Sequence, residues 1–111
     1  MPLTVLLRCH DLEETRTCYR DLGFSVSDSV QGTVTARLQD CNLVFTQEDL
    51  WPQPVGCSGT FYLVLADVDA YHATVKDHAD IAWPLQDMPY GSREFGLRDC
   101  NGYLLAFAQH H

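Results

Sequence analysis

The chain has 111 residues and a mass of 12.5 kDa, enough for a single domain with a real core. Hydrophobic residues make up 46% and charged residues 20%, which excludes disorder, collagen-like repeats and a coiled coil, and no apolar run approaches the roughly 20 residues of a membrane span. Fifteen acidic residues against seven basic ones give a formal charge of -8, which disfavours nucleic acid and anionic membrane and suits a neutral or cationic small molecule or a protein partner.

The N-terminal Met-Pro-Leu-Thr-Val runs directly into a strand-like stretch, Leu3 to Cys9, without the basic and apolar regions of a signal peptide. Asp11 then precedes Leu12, Thr15, Tyr19 and Leu22 at helical spacing, with Glu14 as a first-turn carboxylate and Gly23 as a left-handed stop. Phe24 to Val30 and Thr33 to Gln39 read as a hairpin across Gln31-Gly32, followed by a strand over Asn42 to Gln47. Residues 48–59, with two prolines and two glycines, read as a linker.

The same order recurs after the linker. Thr60 to Ala66 is strand-like, Asp67 stands where Asp11 stood, and Val68, Tyr71 and Val75 repeat the apolar stripe of a helix predicted over 67–79. Ile81 to Leu85 and Ser92 to Arg98 flank a turn at Met88 to Gly91, and Tyr103 to Ala108 follows a tight turn at Asp99 to Gly102. The chain is therefore expected to be one α+β domain, 1–111, built from two tandem βαβββ modules, 1–47 and 60–111, related by a pseudo-twofold. One helix covers one face of each four-stranded sheet, so the other face must be covered by something else. Two curved sheets facing one another enclose a cleft for a small ligand, and their open faces and edges predict a homodimer.

Strand alternation directs Thr60, Tyr62 and Val64 toward this cleft and Phe61, Leu63 and Leu65 toward the helix; Thr4, Leu6 and Arg8 are the counterparts in the first module. Glu94 and Arg98 are further candidates, and with Arg8 they have the alternative of forming a buried ion pair without any ligand. Trp51 in the linker and Trp83 in the second hairpin can stack on a flat ring, or close an interface and pack a core. His72 and His78 point to different sides of a helix, His110 and His111 read as a frayed tail, and His10 reads as a turn residue or an oriented base. The five cysteines are odd in number and lack a C-x-x-C pair, so they are read as reduced, buried and inert thiols of a cytoplasmic protein.

Several segments together resemble the vicinal oxygen chelate superfamily, which includes glyoxalase I, bleomycin-resistance proteins and extradiol dioxygenases. They are Asp11-Leu-Glu, Cys18-Tyr-Arg-Asp-Leu-Gly-Phe24, Phe61 to Ala70 and Met88 to Phe107. The resemblance implies a fold of curved sheets around a cleft. It also implies where metal-using members place their ligands: at the start of each module's first strand, here Thr4 and Thr60, and in each last strand, here Val44 and Ala106. None of these offers a carboxylate or imidazole, so the resemblance points to the metal-free branch that sequesters antibiotics, with no cofactor and no catalytic residue. The expected ligand is aromatic or cationic, with Trp51, Tyr62, Trp83, Arg8, Glu94, Thr4 and Thr60 as binding residues. The alternatives are a metal-dependent lyase, isomerase or dioxygenase using displaced ligands such as Glu94 or His10, and a regulatory or structural domain with an occluded cleft.

Overall fold

The structure, a computed structural model, describes residues 4–110, with the side chain of Gln31 left aside. Its contacts divide the chain into two compact units, Met1–Gly56 and Cys57–His111. In the first, β1 (Leu6–Arg8) is followed by α1 (Leu12–Asp21), β2 (Ser25–Ser29), a 3-10 turn (Val30–Gly32), β3 (Thr33–Leu38) and β4 (Cys41–Thr46). In the second, β5 (Thr60–Val64) leads to α2 (Val68–Val75), β6 (Asp80–Asp87), β7 (Ser92–Arg98) and β8 (Leu104–His110). The sheet orders are β1-β4-β3-β2 and β5-β8-β7-β6. In both, the first strand pairs parallel with the last and the remaining pairs are antiparallel, so each unit is βαβββ as the sequence predicts.

Each helix starts in the same way. The Asp11 carboxylate accepts from the Glu13 N–H at 2.9 Å, and the Leu12 N–H donates to Gln47 Oε1 at 3.0 Å. In the second unit Asp67 accepts from the Ala70 N–H at 3.0 Å, and the Val68 N–H donates to Gln109 Oε1 at 2.9 Å. Two side-chain oxygens thus satisfy first-turn donors that have no partner within the helix. Helix α1 stops at Gly23, whose φ of +87° lets the Phe24 N–H reach back to the Tyr19 carbonyl at 2.9 Å.

Helix α2 ends at Val75 rather than at 79. Its apolar stripe stops there, and Lys76, Asp77 and His78 are exposed, so nothing rewards another turn of helix; a turn closed by Ala79 N–H to the Val75 carbonyl at 2.9 Å leads into β6. The expected frayed end is corrected as well: His110 is the last residue of β8 and pairs with Ser92, because β7 supplies a full-length antiparallel partner. Leu3, expected to open the first strand, and His111 lie outside the described residues. Pro84 is accommodated in β6 because that strand is at the sheet edge and its register shifts on both sides of Trp83.

The helix-facing side of each sheet carries the core. Helix α1 lies against β2, β3 and β4, and Tyr19 meets Phe24 and Phe45 with ring centroids 5.0 Å apart in both pairs, above Val34, Ala36 and Leu43. Helix α2 lies against β7 and β8, where Tyr71, Phe95 and Phe107 form a ring cluster and His72 packs edge-on against Phe95 at 4.8 Å. Leu63, Leu97 and Leu105 complete that core. No helix among the described residues is long and apolar enough to cross a membrane.

Candidate functional site

Opposite α2, the second sheet has no helix over it. The pairings Tyr62↔Ala106, Val64↔Ala108, Glu94↔Ala108, Gly96↔Ala106 and Trp83↔Gly96 put these residues on that face, because strand neighbours opposite one another share a side. Its middle is built from residues with almost no side chain. The Trp83 indole lies directly on Gly96: a Cβ there would stand 2.4–2.5 Å from three ring atoms, so only glycine admits the ring at this position.

Glu94 lies beneath the rings at 1% exposure. Trp83 Nε1–H donates to its Oε2 at 3.3 Å, the Tyr90 hydroxyl donates to its Oε1 at 2.5 Å, and the Ser92 hydroxyl reaches the same oxygen at 3.3 Å. A buried carboxylate left without donors is costly, so these bonds hold the acid in place and fix the indole and the phenol with it. The hydrogen bond to Glu94, with burial and the neighbouring Tyr62, pushes the Tyr90 phenol well above its ordinary pKa. Tyr62 and Tyr90 remain 56% and 65% exposed. The face therefore presents two rings fixed by a buried acid, Trp83 and Tyr90, with the exposed ring of Tyr62 on the same side of a sheet whose middle is glycine and alanine.

Arg8 and Trp51 come together in the first unit. The Arg8 guanidinium lies 5.8 Å from the Trp51 ring centroid, donates to the Trp51 carbonyl at 3.2 Å and to the Gln53 carbonyl, and pairs with Asp49 at 3.2 Å. Arg8 thus fastens the segment after β4 to β1. The helix-free side of the first sheet is rich in hydroxyls, with Ser29 bonded to Thr33 at 2.7 Å and to Thr35 at 3.2 Å. Thr4 is exposed ahead of β1, and Thr60 opens β5 opposite Leu104.

Within the second unit, the ion pair of Glu94 with Arg98 that the sequence offers as an alternative does not form. Glu94 is bonded to neutral donors, Arg8 to Asp49, and Arg98 lies 3.9 Å from Asp80 at the far end of β7. Local acids supply each arginine with a partner, leaving Glu94 to the polar hydrogens around it. The thiols are also less uniform than expected: Cys9 is buried, whereas Cys57 and Cys100, in loops, are exposed. Tyr90 and Gly96 were not anticipated as site residues. The signal for Tyr90 was an aromatic residue in the turn between Trp83 and Glu94; nothing local marked Gly96.

The ligand positions implied by metal-using relatives do not fit a divalent ion. Val44 and Ala106 have no donor atom, Ala106 is fully buried, and the hydroxyls of Thr4 and Thr60 are neutral and weak beside carboxylate or imidazole. Among the described residues no group of three or more His, Cys, Asp or Glu side chains is gathered as a metal site.

Both the plan of the units and the sequence place this architecture among known proteins. Residues 3–107 match the Glyoxalase/Bleomycin resistance protein/Dioxygenase superfamily, and the chain belongs to that family. Similar solved structures include the bleomycin resistance determinant encoded on transposon Tn5, with a TM-score of 0.80 and 21% identity over 100% of this chain and 98% of that one. A bleomycin-binding protein complexed with bleomycin aligns with a TM-score of 0.78 and 21% identity over 100% and 99% of the two chains. TioX from Micromonospora sp. ML1 aligns with a TM-score of 0.78 and 24% identity, also over 100% and 99%. At these identities the likeness is one of fold. No significant match was found among curated proteins.

Proposed function

We propose that this protein is a metal-free small-molecule binder of the superfamily, a cytoplasmic homodimer that sequesters an aromatic or cationic compound such as an antibiotic. The observation that carries the reading is the pair of rings, Trp83 and Tyr90, bonded to the buried Glu94, with the exposed Tyr62 ring on the same sheet face. Rings with such a fixed setting offer stacking area at little further entropic cost. A relative of the same fold that holds bleomycin gives the reading a precedent. Leu6 and Val64, exposed large apolar residues on the helix-free sides of β1 and β5, support a second copy as a partner.

A lyase, isomerase or dioxygenase would need metal donors outside the positions implied by the family. Glu94 already accepts three hydrogen bonds, and His10 lies exposed beside a helix cap. The test is a thermal-shift screen of chelator-treated protein against metal-free bleomycin and other aromatic or cationic natural products. A ligand at a hundred times its Kd is expected to stabilise the native state by about 2.7 kcal/mol, a rise of several degrees. A protein that gains stability only from added zinc, nickel, manganese or iron contradicts the proposal.

A further inference from the structure

We propose that the helix-free face of the second unit selects organic cations, an ammonium group borne on an aromatic ring, through indole and phenol rings made electron-rich by the buried Glu94 carboxylate. This rests on the reading that the face binds small molecules.

Three observations lead to it. First, Glu94 is bonded to the neutral donors Trp83, Tyr90 and Ser92, so contact with a basic group does not cancel its charge. The arginines of β7 are engaged elsewhere: Arg93, on the helix side, with Asp69 at 3.0 Å and Asp87 at 3.4 Å, and Arg98, at the strand end, with Asp80 at 3.9 Å. His110 shares the face only at its edge, opposite Ser92.

Second, the carboxylate acts through the rings themselves. An indole N–H or phenol O–H that donates to an anion shifts electron density into its π system. Attraction of a cation to an aromatic face depends on that density, and a recurring use is recognition of quaternary ammonium by clustered rings.

Third, the cluster is accessible and pre-set. Tyr62 and Tyr90 are more than half exposed, the Tyr90 hydroxyl is tied to Glu94, and Gly96, Ala106 and Ala108 form the close-packed part of the same face. The chain's charge of -8 draws cations toward it and repels anions.

The test compares two probes of one shape and different charge, (4-hydroxyphenyl)trimethylammonium and 4-tert-butylphenol. Binding is followed by the NMR shift of the Trp83 indole N–H in a Trp51→Phe protein. The cation is expected to bind about tenfold tighter. Glu94→Gln should reduce that preference to about twofold while changing 4-tert-butylphenol affinity little, since an amide fills the same space without the charge. Should Glu94→Gln melt at a much lower temperature, Tyr90→Phe serves instead, keeping a ring but removing its hydrogen bond, and the preference should fall there too. Binding of both probes with equal affinity, or a preference unchanged in the variants, overturns cation selection while leaving small-molecule binding intact. If neither probe moves the Trp83 signal at millimolar concentration, this inference and the binding reading fall together.

Discussion

At the scale of single residues, the site depends on Gly96, which has no chemistry of its own. Gly96→Ala forces the Trp83 ring off the sheet, and overpacking of this kind costs about 1–3 kcal/mol, to be read from urea unfolding; the Trp83–Glu94 bond should be lost with it. Tyr90 provides a pH signature. Its folded pKa is raised above the ordinary 10.0, so the native state binds its proton more tightly than the unfolded chain does. That contribution is complete below pH 10 and declines as pH rises through 10 and above. In a spectrophotometric titration of phenolate absorbance, Tyr90→Phe should remove an ionisation step that lies above the ordinary phenol range. Sequence alternation alone puts Tyr62 opposite the helix-facing residues of β5, because a strand's period of two is local information. The convergence on Glu94 was not legible, since it depends on the register shift at Trp83 and on a turn whose shape the sequence does not specify.

Among the elements, the helix starts were the most legible feature, because Asp11 and Asp67 each precede an apolar stripe at helical spacing. The second cap at each start was hidden, since Gln47 and Gln109 arrive from the parallel partner strand far along the chain. Asp67→Ala and Gln109→Ala should each destabilise the protein by about 1 kcal/mol in urea melts, the usual cost of a lost cap. Near the same end of α2, Asp69 pairs with Arg93 of β7 at 3.0 Å, and the guanidinium lowers the Asp69 pKa below 3.8. Stability from a depressed carboxylate is present above its unfolded pKa and is lost as pH falls through the folded value. Parent and Arg93→Ala stabilities, compared across an acid series, should therefore converge as pH drops below 3.8. Helix α2 ends before the sequence predicts, because the three polar residues after Val75 are exposed and bury nothing that would hold another turn.

For the whole molecule, the repeated order of strand and helix was legible because both halves carry the same local signals in the same sequence. The role of Arg8 was not, since its partners Asp49, Trp51 and Gln53 belong to a segment with no periodic pattern. Sedimentation at micromolar concentration should show a dimer, and a monomer there would count against the proposed assembly. The central claim, metal-free capture of a flat compound by the rings around Glu94, is tested most directly by calorimetric titration of chelator-treated protein with a planar aromatic cation such as proflavine. We predict saturable binding that is unchanged by chelator or added divalent metal, and weakened about tenfold by Tyr62→Ala in a protein that still melts cooperatively. Binding that appears only when metal is restored, or that is indifferent to substitution of Tyr62, Trp83 and Tyr90 alike, would contradict it.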